Sequence, residues 1–350
     1  MGSQASEGRD AALDPDVLLD WTTAVFAACG VSAAPARRTA QLLLRTSLRG
    51  IDTHGLSRVP GYVDKLLSAE VNPQAQPRVE LRHGVLHVEG DGGLGQVVAS
   101  EALREAMARA RETAVVTCVL RGSGHLSALG VLVLEAAEQG LVAVLCQKTP
   151  PIMALPGARG GAIGNNPLAF AMPVAGEVPL VFDMASSVVA RGHVMQAVQE
   201  HRAEIPPDWA IGPDGKPTTD PLAALQGAML PVAGHKGIGL AMLVECLAGS
   251  LNGDLGGAPA GLGGSPSHVS AFMLVMNPAL FLGQSAFDAS VRAWLDHYLH
   301  TAGPDARYPG QRQARCEQDR RVSGIPVPAG LLAELCRAGA RVGVPLVFAG

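Results

Sequence analysis

The sequence predicts an α/β fold preceded by an N-terminal helical segment, and three observations carry that expectation. Two stretches with helical apolar spacing open the chain, β-branched apolar runs alternate with helical runs through its middle, and one short apolar run ends in an acid, Asp183. With 350 residues, 48% of them hydrophobic and 17% charged, the chain can bury a full core and has room for one large or two ordinary domains.

The elements follow in order. Residues 14–29 and 34–48 read as helices, the first with Asp14 as cap and Pro15 in its first turn. Residues 95–111 read as a helix, 114–120 as a strand, 128–139 as a helix and 141–147 as a strand. Residues 179–182 form a buried strand that delivers Asp183 at its C-terminal end, where α/β proteins tend to place functional groups. A helix starts at Val188, residues 205–221 form an exposed proline-containing connection, and Gly234 to Gly237 lead into an apolar helix over 238–248. The glycine- and proline-rich stretch 253–266 reads as a loop, 271–276 as a strand, 286–300 as an amphipathic helix, and 307–312 as a turn carrying two cations. There is no internal repeat, and three segments are expected: 13–80, 81–250 and 251–350.

Composition removes several classes. A formal net charge of −4 with no long basic run leaves no electrostatic footprint for nucleic acid. The first twelve residues are polar, and no apolar run approaches the ~20 residues that span a bilayer, so a cytoplasmic protein without a membrane partner is expected. Six scattered cysteines without a C-x-x-C pair read as reduced core thiols, not as a zinc or disulfide framework. The glycines at 90, 92, 93 and 95 read as a tight turn into a helix instead of a Rossmann loop, and no P-loop, H-E-x-x-H or G-x-S-x-G is present.

The richest chemistry lies in residues 49–58, Arg-Gly-Ile-Asp-Thr-His-Gly-Leu-Ser-Arg. His54 can move a proton near neutral pH, Thr53 can hydrogen-bond the ring or a substrate oxygen, and Arg58, with Arg49 as a second guanidinium, offers a forked donor for a carboxylate. The bland alternative, a helix cap and turn, explains such a segment about equally well on its own. Other polar islands stand in apolar context: Ser123, Gly124 and His125; Gly164, Asn165, Asn166 and Pro167; Asp183 to Ser187; and His235, Lys236 and Gly237. Asn165 and Asn166 read as a turn holding a strand end. Lys236 at a helix start opposes the helix dipole, which points to a bound anion.

Taken in order, these islands resemble the malate/L-lactate dehydrogenase family that lacks the Rossmann fold. The resemblance runs over residues 15–325: D-T-H-G-L-S-R-V-P-x-Y, a G-Q-x-x-A helix start, the island at His125, G-x-N-P-L-A-F-A-x-P, D-M-A-S-S, P-T-T-D-P, G-H-K-G-x-G-L-A and P-G-Q-R. It implies a central mixed sheet and an NAD- or NADP-dependent enzyme, a homodimer, that interconverts small 2-hydroxy and 2-oxo acids by hydride transfer. The alternative within the family is reduction of cyclic imino acids. On this resemblance His54 is the acid/base, Thr53 and Asp183 are its relay partners, Arg58 holds the substrate carboxylate, and His125 competes for the proton-transfer role. The cofactor falls to His125, Leu126, Ser127, Ala128 and Leu129, to Pro173, Val174 and Ala175, to His235 and Lys236, and to the turn with Arg307, Gly310 and Arg312. No metal is implied.

Two departures accompany the resemblance. Leu126 to Val131 lack the aromatic residues usual after the second histidine, and His193 stands where the family carries lysine. A hydrolase would need a nucleophile facing His54, whereas Thr53 is adjacent to it. A metal-dependent lyase lacks ligand spacing. A non-catalytic binding protein is the remaining alternative class, should the departures have abolished cofactor binding.

Overall fold

The computed structural model describes residues 11–253 and 269–347; most of the glycine-rich stretch expected as a loop, and the polar N-terminus, lie outside the described residues. Strand β1 (Ala11–Leu13) leads into α1 (Pro15–Ala28), where the Asp14 carboxylate accepts from the amides of Asp16 at 2.8 Å and Val17 at 3.1 Å. Leu18, Trp21, Val25 and Phe26 recur at helical spacing and are buried against α2 (Ala33–Leu48). Two short 3-10 turns, Asp52–His54 and Leu56–Arg58, then join α2 to α3 (Val59–Leu67).

The body of the chain supplies β2 (Arg78–Arg82), β3 (Val85–Gly93), α4 (Gly95–Arg109), β4 (Val115–Ser123), α5 (Gly130–Glu138), β5 (Val142–Gln147), β6 (Leu168–Met172) and β7 (Leu180–Met184). A smaller unit follows: α6 (Arg191–Gln199), β8 (Ala210–Ile211), α7 (Pro221–Gln226) and β9 (Ala228–Met229). The remainder is α8 (His235–Val244), β10 (Val269–Met276), α9 (Ala279–Leu282), α10 (Gln284–Ala302), α11 (Gln311–Ser323), β11 (Ile325–Val327) and α12 (Ala329–Arg341).

Seven strands form one mixed sheet in the order β2-β3-β4-β10-β5-β6-β7. Only β3 and β4, linked by the crossover helix α4, run parallel; the other neighbours are antiparallel. β10 is central because its side chains suit burial on both faces: Ala271, Met273 and Val275 join the main core under α4 and α5, while Phe272 packs opposite with Val244 and Ala248. The chain closes on itself through β1–β11 pairing, and Ile325, Val327 and Leu335 enter the N-terminal core around Phe26 and Leu48.

Several sequence expectations shift. The helix expected over 128–139 begins at Gly130, which leaves Leu126 to Leu129 as backbone beside the site, and the helix expected from Val188 begins at Arg191. Asp183 lies within β7 and not beyond its end. The glycines from 90 to 93 extend β3 instead of turning. Of the cysteines only Cys29, Cys118 and Cys146 are buried; Cys246 is exposed, and all six are free. Among the described residues no helix is long and apolar enough to cross a membrane.

Candidate active site

The 3-10 turn after α2 exists because Gly50, at φ +74°, ends the helix where a Cβ would lie 2.9 Å from the sulfur of Cys316. It presents Thr53 and His54, with Thr53 Oγ1 2.9 Å from His54 Nδ1. From the other side comes the loop between β4 and α5. There Ser127, in the left-handed region at φ +68°, donates its hydroxyl to the His54 carbonyl, and this strained residue ties the two loops together.

His125 stands opposite His54, the two rings 6.0 Å apart between centroids. The Tyr62 hydroxyl on α3 lies 3.0 Å from His125 Nδ1 and receives a hydrogen bond from Gln96 Nε2 at 2.9 Å. Gln147, fully buried on β5, accepts from the Leu126 amide at 3.3 Å and so fixes the same loop. Gly95 is required here: a Cβ would come within 2.5 Å of the Gly124 and His125 carbonyls. Tyr62 and Gln96 belong to the D-T-H-G-L-S-R-V-P-x-Y and G-Q-x-x-A segments but were assigned no role from sequence, and Gln147 carried no signal.

Electrostatics keep this cluster neutral except at one group. Burial, then the charges of Arg58 and His193, lower His54 to about 4. Burial and the charges of Arg58, His54 and Lys65 lower His125 to about 3. Tyr62 is pushed up to about 12 by burial. Arg58 is the exception: its Nε is buried with no partner in the protein, and among the described residues no carboxylate lies within ion-pair distance of it. A half-buried guanidinium near two neutral imidazoles is a prepared place for an anion.

The remaining site candidates divide. Asp183 Oδ2 accepts from the Gly130 amide at 2.7 Å, with Leu129 as a second backbone donor; it thus sits at the N-terminus of α5, and burial still raises it to about 6. No hydrogen bond joins it to His54 or Thr53. Arg49 does not enter the cluster at all. It is only 5% exposed and bound by Glu317 of α11 at 2.9 Å, so its charge is already matched. Asn166 serves structure: its side chain accepts from the Thr149 amide at 2.9 Å and donates to the Ala241 carbonyl at 2.9 Å.

The outlying segments bracket the edge strand β7. At its C-terminal end the Val232 amide donates to the Ser186 carbonyl at 2.9 Å, which places the start of α8 and the exposed His235 and Lys236 there. At its N-terminal end the Val181 amide donates to the Pro309 carbonyl at 2.9 Å, and Gly310 at φ +105° packs against Pro179 and Val181. The turn of Pro173, Val174 and Ala175 lies at that same end, with the Ala175 carbonyl accepting from Arg292 at 2.7 Å and Val174 buried beside Leu180. Among the described residues Lys236, Arg307 and Arg312 have no carboxylate partner. No group of three or more His, Cys, Asp or Glu there could hold a metal ion.

Comparison with known proteins agrees with this architecture. The family model for malate/L-lactate dehydrogenase matches residues 13–336. The chain is 35% identical over 314 residues to a Delta(1)-pyrroline-2-carboxylate reductase of Pseudomonas fluorescens, covering 87% of this chain and 92% of that protein. It is 36% identical over 317 residues to a (2R)-3-sulfolactate dehydrogenase (NADP(+)) of Chromohalobacter salexigens, covering 89% and 93%. Among solved structures, the delta1-piperideine-2-carboxylate reductase of Pseudomonas syringae pvar. tomato superposes with a TM-score of 0.84 at 31% identity, covering 94% of this chain and 99% of that one. The chain therefore belongs to the malate/L-lactate dehydrogenase family and is an NAD(P)-dependent oxidoreductase.

Proposed function

We propose that this enzyme reduces the C=N bond of small cyclic 2-imino acids with NAD(P)H, and that 2-oxo acids are its second substrate class. One observation carries the reading: Arg58, a half-buried guanidinium without a carboxylate partner among the described residues, lies close enough to His54 and His125 for its charge to lower both. Both substrate classes carry a carboxylate beside an electrophilic carbon, and the guanidinium fork suits it.

The order of the two classes rests on protons. A 2-oxo acid needs a proton on its oxygen as hydride reaches C2, but His54 and His125, at about 4 and 3, are neutral at pH 7, and a neutral imidazole is a poor acid. A cyclic imine arrives already protonated on nitrogen and needs only to be oriented. Relatives named as pyrroline-2-carboxylate reductases support the same order. For 2-oxo acids, a substrate carboxylate on Arg58 would offset the charge that depresses both histidines, raise them, and so assist protonation.

When bound, the reduced nicotinamide supplies the hydride. The residues present fit such a group: Lys236 at one end of β7 and Arg307 and Arg312 at the other are cations without carboxylate partners among the described residues, separated by a five-residue strand of roughly 17 Å. They would meet phosphate oxygens, while the buried backbone from Leu126 to Leu129 would exclude water at the reacting end. Asp183 holds the start of α5, and through it this loop, in place. We also read the enzyme as a homodimer, supported by the exposed apolar residues Leu280, Phe281, Leu282 and Trp294 on α9 and α10.

The test is a panel of Δ1-pyrroline-2-carboxylate, Δ1-piperideine-2-carboxylate, pyruvate and oxaloacetate, each with NADH and NADPH. A higher kcat/KM for the cyclic imines supports the primary reading. Exclusive turnover of 2-oxo acids would replace it with the second, and failure of both cofactors to bind would leave a non-catalytic protein.

A further inference from the structure

Resting on the reading that Arg58 holds the substrate carboxylate, we infer that His193 and Trp209 form the wall opposite it and select substrates whose remainder is flat and uncharged over dicarboxylates. His193 lies in the first turn of α6, its amide bonded to the Ala190 carbonyl at 2.9 Å. The preceding residue, Gly192, faces the guanidinium: a Cβ there would stand 3.6 Å from Arg58 Nη2. His193 also contributes to the field felt by His54, which places its ring in the same neighbourhood.

Two features make this ring a ligand-facing wall and not a settled structural contact. Its Nδ1 is buried yet finds no hydrogen-bond partner in the protein, a cost that folding alone does not explain. Its other neighbour is aromatic: the rings of His193 and Trp209 meet edge-on, 6.3 Å apart and 68° inclined. The helix that carries it packs in a small apolar cluster of its own, with Val194, Ala197, Ile205, Ala210, Ala224 and Met229, separate from the core under the sheet.

Charge decides what such a wall accepts. A dicarboxylate needs a second cation once Arg58 has taken the first carboxylate. Arg49 and Lys65 are already matched, by Glu317 and Glu70, and Arg191, next to Gly192, is exposed and turns its guanidinium to the Leu225 carbonyl at 3.3 Å. Imidazole and indole instead offer uncharged aromatic surface to a flat five- or six-membered ring.

The experiment measures binding of two unreactive probes, pyrrole-2-carboxylate and malonate, to the full-length enzyme saturated with reduced cofactor. Wild type should bind pyrrole-2-carboxylate roughly tenfold or more tightly than malonate, and His193→Lys should move that ratio roughly tenfold toward malonate. His193→Gln, neutral but without the ring, should move the ratio toward malonate by less than His193→Lys does, and NAD(P)H binding by both variants reports on folding. If both probes bind and the ratio is the same in wild type and His193→Lys, the selectivity role is overturned while Arg58 stands. If neither probe binds wild type although NAD(P)H does, the Arg58 reading fails and the inference falls with it.

Discussion

The Tyr62 hydroxyl holds Nδ1 of His125 at 3.0 Å while it is itself the acceptor of Gln96 Nε2 at 2.9 Å. The same hydroxyl also lies 3.3 Å from the His125 carbonyl oxygen, so Tyr62 fixes the ring and its backbone together in either tautomer of the imidazole. Tyr62→Phe would free the ring and leave the buried Gln96 amide short of a partner. We expect kcat to fall roughly 10- to 100-fold with NAD(P)H affinity little changed, and stability to drop by about 1–3 kcal/mol. Steady-state kinetics beside urea unfolding separate the two effects; unchanged kcat with lowered stability would assign Tyr62 to structure alone.

Arg58→Lys keeps the charge but loses the fork. KM for any 2-oxo or 2-imino acid should rise by roughly tenfold or more, while the dissociation constant of NAD(P)H stays within about twofold. Equal weakening of both ligands would move Arg58 to the cofactor.

His54→Ala gives different outcomes for the two substrate classes. With 2-oxo acids kcat should fall ~100-fold or more, because the group that delivers the proton is gone. With cyclic imines the loss should stay within about tenfold, since the nitrogen is protonated before hydride arrives. Equal, large losses on both would mean that His54 does more than proton delivery.

Glu317 on α11 gathers Arg49 at 2.9 Å, Arg321 at 2.7 Å and Arg45 at 3.4 Å, while Arg320 of the same helix pairs with Asp52 in the turn that carries His54. Glu317→Ala would strand the buried Arg49 charge. A loss of roughly 3–5 kcal/mol is expected by chemical unfolding, far more than the ~0–1 kcal/mol expected for Arg320→Ala, whose partner is exposed. Similar small losses for both would show that Arg49 can reach water.

What the sequence made legible is what is local. Thr53, His54 and Arg58 are close in the chain, and their mixture of chemistries suffices to mark the turn. Arg49 belongs to the same ten residues, but the Glu317 carboxylate that pairs with it is 268 positions away and leaves no trace in the local sequence. Tyr62 and Gln96 act on His125 from 63 and 29 positions off, a relationship that only α3 and α4 packing creates. Among the strands, β10 announces itself by a continuous apolar run. β2 was missed because four of its five residues are exposed, and β3 because its last four residues run from Gly90 to Gly93, which normally signals a turn.

Acid should unfold the enzyme in a manner set by three groups with opposed signs. His54 and His125 fall from 6.5 to about 4 and about 3 on folding, so each contributes stability present above pH 6.5 and lost as pH drops through the folded value. Asp183 rises from 3.8 to about 6, so its contribution is present below 3.8 and lost as pH climbs through 6. Between about pH 4 and 6 the unfolded chain binds two more protons at the histidines while the folded one binds one more at Asp183, a net difference of about one. Wild-type stability should therefore fall by at most ~1.4 kcal/mol per pH unit from these groups on acidification through that window. His54→Gln should flatten the dependence, whereas Asp183→Asn, whose amide oxygen can still accept from Gly130, should steepen it. Urea unfolding at pH 4.5, 5.5 and 6.5 for the three proteins reads this directly, and parallel curves would mean that neither His54 nor Asp183 titrates differently in the folded chain.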